Sequence, residues 1–133
     1  MSDTWLVEEI VKCGISEELA SETHIFLGFP KIVKQKKSYS EWSCSFKITG
    51  LFEYVHTYRA YSGFSALLGA IGGLRHSLRL KLEMEGWDLY AYMHDTNRFE
   101  VASIESVFLV EDCIPEDYDY VINVARKKGI SLD

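Results

Sequence analysis

Two hydrophobic periods divide the chain. Residues 41–49, EWSCSFKIT, place Trp42, Cys44, Phe46 and Ile48 at every second position, with Ser43, Ser45, Lys47 and Thr49 between them. That period predicts a strand with one dry face and one wet face. Residues 52–61, FEYVHTYRAY, follow after Gly50 and are rich in aromatic and β-branched types. They predict a hairpin partner for the first strand. Over 62–83 the period changes to that of a helix. Phe64, Leu67, Leu68, Ile71, Leu74, Leu78 and Leu82 form an apolar stripe, and Ser62 can cap its start. Gly69, Gly72 and Gly73 interrupt the stripe. Each interior glycine costs about 1 kcal/mol relative to alanine, so three of them imply a close approach of the helix backbone to the sheet.

The flanking regions are less regular. Trp5, Leu6, Ile10 and Cys13 recur near helical spacing, Glu8 and Lys12 form an i,i+4 pair, and Gly14 suits a helix end. These features predict a helix over 3–13. Residues 19–23 and 24–33 predict strands, the second interrupted by Gly28 and Pro30. Proline cannot donate to a ladder, which places that strand at an edge or gives it a bulge. Residues 86–94 and 99–110 predict two more strands, joined by a turn at Asp95, Thr96 and Asn97. A last helix is predicted over 115–128, with Pro115 at its start, Glu116 and Asp117 at its positive end, and Arg126, Lys127 and Lys128 at its negative end. The expected fold is a single α+β domain over 1–133. It has a mostly antiparallel sheet of about five to six strands, a long central helix (about 62–83) packed on the sheet, and shorter N- and C-terminal helices.

Residues 24–82 resemble a family of small bacterial proteins of unassigned function. Its members carry a W-x-C-x-[FY]-x-I-x-G-[LI] strand, a short second strand, and a capped helix beginning D-S-x-Q-A-L. Trp42, Cys44, Phe46, Ile48, Gly50 and Leu51 match the first motif. Ser62, Gly63, Ser65, Ala66 and Leu67 occupy the places of the second, without its glutamine. The resemblance implies a sheet with a helix packed on it. It implies no activity, and both motifs read as core and capping residues.

Composition fits an ordered domain that needs no disulfide or metal. Of 133 residues, 47% are apolar and 14% aromatic, enough to build a core at this length. The three cysteines, Cys13, Cys44 and Cys113, form no C-x-x-C pair, so reduced core thiols are expected rather than a zinc site. The first residues have acids where a secretory signal has bases. No run approaches the ~18 apolar residues of a membrane span. The expected location is the cytoplasm, with no membrane partner.

Charge changes the picture more. The net charge is −6. It divides into −5 over residues 1–30, +7 over 31–81 and −8 over 82–133. Such asymmetry matters for association more than for fold. Two constellations stand out. Glu111, Asp112, Glu116, Asp117 and Asp119 interleave with Tyr118 and Tyr120. Carboxylates steer a basic partner and tyrosines anchor interfaces. Lys31, Lys34, Lys36 and Lys37, near Tyr39 and Trp42, have the basic and aromatic character of a single-strand nucleic-acid surface, against which the overall negative charge argues.

Candidate chemistry is sparse. His24, His56, His76 and His94 form no metal-binding spacing, and the serines lack a G-x-S-x-G elbow. A His56/His94 pair could act as acid and base only if the fold joined them. Cys44 alternates with buried aromatics and reads as a core thiol. No metal, cofactor or catalytic residue is expected. The sequence thus favours a non-enzymatic binding protein whose partner is a basic protein, such as a bacterial toxin domain that it neutralises as an immunity protein. A nucleic-acid-binding or regulatory module using Lys31–Lys37 is the alternative, and a small enzyme with an unrecognised site is the third class.

Overall fold

The computed structural model of the chain describes residues 5–50 and 52–108. In chain order the elements are β1 (Val7–Gly14), β2 (Ser21–Leu27), β3 (Lys31–Gln35), β4 (Ser40–Thr49), β5 (Tyr54–Ala60), α1 (Gly63–Glu85), β6 (Asp88–Met93), β7 (Arg98–Ala102) and α2 (Ile104–Val107). All strand pairings are antiparallel.

The seven strands occupy six positions. β2 pairs the C-terminal half of β4, from His24↔Thr49 to Leu27↔Phe46. β3 pairs the N-terminal half, from Lys31↔Ser43 to Gln35↔Ser40. Both lie on one edge of β4, and β5 lies on the other. β2 and β3 are therefore one strand broken at Gly28, Phe29 and Pro30. The expected interruption at Pro30 is present, with a further bulge between Ile32 and Lys34. Among the described residues β3 pairs only β4. Across the sheet the order is β5, β4, β2 with β3, β1, β6, β7.

α1 connects β5 to β6 and packs over β4 and β5, reaching β2. The Ser62 hydroxyl accepts the Ser65 backbone N–H at 3.0 Å and caps the helix. Gly86 ends it in the left-handed conformation, φ 67°. Phe46, Ile48, Val11, Cys13 and Cys44 of the sheet and Leu78 of α1 are fully buried in the core.

Several expectations are corrected. Residues 3–13 do not form a helix: Val7–Gly14 is a strand, held by β2 on one side and β6 on the other. Val7, Ile10 and Val11 are β-branched, and two ladders of backbone bonds outweigh the weak propensity and i,i+4 signals that favoured a helix. The helix stripe is also rotated. Phe64 is 81% exposed and Leu68 49% exposed. The buried line runs through Ala66, Gly69, Ala70, Gly73, Leu74 and Leu78. A methyl group on Gly69 would overlap the Tyr58 ring, which is the close approach that the glycines implied. The strand predicted over 99–110 ends at Ala102; Ser103 then caps the short α2, accepting from Ser106 N–H at 3.2 Å. The helix predicted over 115–128 lies outside the described residues. No helix among the described residues is long and apolar enough to cross a membrane.

Candidate functional site

Antiparallel partners point their side chains to the same face, so the register sorts the sheet. Val11, Cys13, Ile25, Leu27, Cys44, Phe46, Ile48, Tyr58 and Leu89 lie toward the helices. The opposite face has no helix among the described residues. It carries Ile10, Lys12, His24, Phe26, Ser43, Ser45, Lys47, Val55, Thr57, Tyr90, Tyr92, Phe99 and Val101.

The two ends of this open face differ in sign. At one end the connection after β1 meets β6 and β7. Glu17, Glu18, Lys12, Tyr90, Tyr92 and Phe99 line a cleft of about 680 Å³. Both cations of this cleft are engaged: Lys12 lies 4.6 Å from the Phe99 ring centroid, and Arg98 contacts Glu100 at 3.2 Å. Glu17 and Glu18 form no salt bridge among the described residues. Burial pushes the Tyr90 phenol up, and the Asp88 and Glu17 carboxylates add to the shift. Tyr92 donates to Asn97 Oδ1 at 3.1 Å and meets Phe99 edge to face. Asn97 holds a positive φ of 54° in the β6–β7 turn, at the turn that the sequence predicted.

At the other end, β3, β4 and β5 carry the bases. Lys31 lies opposite Ser43, and Lys34 opposite Glu41. Ser43 and Glu41 are two apart on β4 and share the open face. In a regular strand residues 31 and 34 would point to opposite faces; the bulge at Val33 brings both lysines to the same one. Arg59 joins them, 3.7 Å from Glu41. Trp5, Phe29, Lys31, Ser43, Ser45 and Lys47 line a cavity of about 280 Å³. Lys47 lies over the Phe26 ring, which in turn packs against Trp5.

Of the predicted site residues, Lys31 and Lys34 are thus brought together on one face. Lys36 and Lys37 are exposed in the β3–β4 connection. Glu111, Asp112, Glu116, Asp117, Tyr118, Asp119 and Tyr120 lie outside the described residues. Sequence reading missed Glu17, Glu18, Tyr90 and Tyr92, which are more than 70 residues apart in the chain and meet through the β1–β6 ladder. It also missed Lys47, Arg59, Trp5 and Phe29. Lys47 had a signal, since it occupies the wet phase of the 41–49 alternation.

The structure does not join His56 and His94 as an acid–base pair. His56 on β5 packs against Phe46 and Tyr54, and His94 stands beside Tyr92 at the end of β6. Their strands are four positions apart, about 19 Å. His24 sits between carboxylates: Nδ1 is 3.3 Å from Glu8 and Nε2 is 3.4 Å from Glu22. With both ring nitrogens occupied, it bridges β1 and β2 instead of presenting a free base. Cys44 is 1% exposed, with its thiol 3.3 Å from the Gly28 carbonyl. Burial pushes its pKa up to about 11. Cys13 is raised for the same reason. Both are core thiols without nucleophilic character at neutral pH. No group of three or more possible metal ligands occurs among the described residues. No family model matches the chain, and neither the curated proteins nor the solved structures contain a match to it.

Proposed function

We propose that this chain is a small cytoplasmic binding protein that captures a basic protein, and that its role is that of an antidote to a basic bacterial toxin, of which a nuclease is the best chemical fit. The observation that carries the reading is the acidic end of the open face. Two carboxylates without salt-bridge partners among the described residues line an open cleft with the exposed Tyr92, beside the buried Tyr90. Tyrosine anchors and peripheral carboxylates are suited to a cationic protein surface. Toxins that cleave nucleic acid need bases to hold phosphates, so an acidic cover is a physically direct antidote. The small size and net charge of −6 agree with it. The acidic stretch 111–120 has the same residue types.

The test begins with affinity capture by the whole chain, followed by titration of each purified basic candidate by calorimetry. A cognate toxin binds the wild type, and its toxicity is suppressed when the two are expressed together. Glu17→Lys combined with Glu18→Lys should weaken that complex tenfold or more, and Tyr92→Ala about as much. Reversal of Glu116, Asp117 and Asp119 measures the share of the second stretch. A complex indifferent to all these changes, or one that leaves toxicity intact, removes the proposal.

A further inference from the structure

The basic end of the open face has a separate use. We propose that it binds single-stranded nucleic acid, with Lys31, Lys34, Lys47 and Arg59 on the phosphates and Trp5 and Phe29 stacking on bases. This goes beyond the capture of a basic protein and uses the opposite end of the face.

Three observations converge on it. First, four cations share one face of three adjacent strands, with Glu41 the one carboxylate among them. Lys31 and Lys34 have no salt-bridge partner among the described residues. This end of the face is positive although the chain as a whole is negative, and residues 31–81 carry the positive excess of the sequence. Second, aromatic surface lies inside the patch. Phe29 is 44% exposed, and Trp5 lines the cavity between Lys31 and Lys47. Third, the floor is hydroxyl-rich. Ser43, Ser45 and Thr57 are small, and Ser45 and Thr57 bond each other at 2.8 Å; Val55, 61% exposed, adds apolar surface at the edge of the cavity. A positive groove that tracks a backbone, with rings for bases to stack on, is the recurring physics of single-strand binding. A duplex hides its base faces, so the exposed rings favour a single strand.

The experiment is fluorescence anisotropy of the whole chain with a labelled oligothymidylate of about 12 nucleotides. Neutralising three to four phosphates predicts a log–log salt slope of about −2 to −3. Binding should therefore weaken about 20- to 50-fold between 50 and 200 mM salt. Lys31→Ala and Lys47→Ala should each flatten the slope by about 0.7. Phe29→Ala should weaken binding about tenfold with the slope unchanged, since stacking releases no counterions. Trp5→Ala should do the same, and circular dichroism separates its effect from loss of fold. Glu17→Lys with Glu18→Lys should leave the Lys31 and Lys47 effects in place. Absence of binding at 50 mM salt and about 100 μM protein overturns the proposal. So does equal binding of a duplex of the same length. Equal binding of polyglutamate also overturns it, assigning the patch to acidic proteins instead.

Discussion

The two faces of the sheet are built from the same strands and do opposite work. On the covered face, small residues let a helix approach so closely that Gly69 meets the ring of Tyr58. Cys44, Phe46, Ile48, Ala66 and Leu78 are at or near zero exposure there. On the open face, the alternate residues of β4 are Ser43, Ser45, Lys47 and Thr49, half-buried and polar. Stability resides in contacts that tolerate no added atoms. The proposed recognition surfaces lie where charge and rings can change with little consequence for the fold.

The largest test of this contrast is on the covered side. Gly69→Val forces an overlap with a ring that is only 4% exposed, so it should lower unfolding free energy by about 3 kcal/mol. In a double-mutant cycle, Tyr58→Leu should recover part of that loss. If urea denaturation shows no loss, the helix does not sit as close to the sheet as the fold requires.

Alkaline pH probes the same layer more gently. The buried Cys44 thiol titrates near 11 in the folded chain, against about 8.5 when unfolded. Its contribution is complete below the unfolded value and is lost as pH rises through the folded one. Stability should fall by about 2–3 kcal/mol between pH 8.5 and 11 from this group. Cys44→Ala should flatten that part of the pH profile of the urea midpoint. An unchanged slope would mean that the thiol is accessible to solvent.

The smallest effect belongs to the open face. Val101 is 66% exposed, opposite Tyr90. Val101→Lys should change unfolding free energy by no more than about 0.5 kcal/mol. A loss of 2 kcal/mol or more would indicate that this face is covered in the folded chain.

Legibility in the sequence followed the same division. The run from Trp42 to Thr49 could be read because each side chain's environment is set by the parity of its position. The capped helix from Ser62 could be read because capping is local. Val7–Gly14 could not, because its state depends on Ser21–Leu27 and Asp88–Met93, which are distant or adjacent only through a turn. The tilt of the helix stripe was likewise hidden, since which side of α1 meets the sheet depends on Tyr58.

By itself, then, the sequence determined the central hairpin, the long helix, the need for its glycines to touch something, and the segregation of charge into three blocks. Those properties are local or additive, so no partner strand is needed to define them. Tertiary structure alone decided that β2 and β3 are one broken strand, that a bulge turns Lys31 and Lys34 to the same side, and that Glu17 and Glu18 meet Tyr90 and Tyr92. Each of these follows from strand register, and register is fixed only when non-local strands pair and bury one shared face.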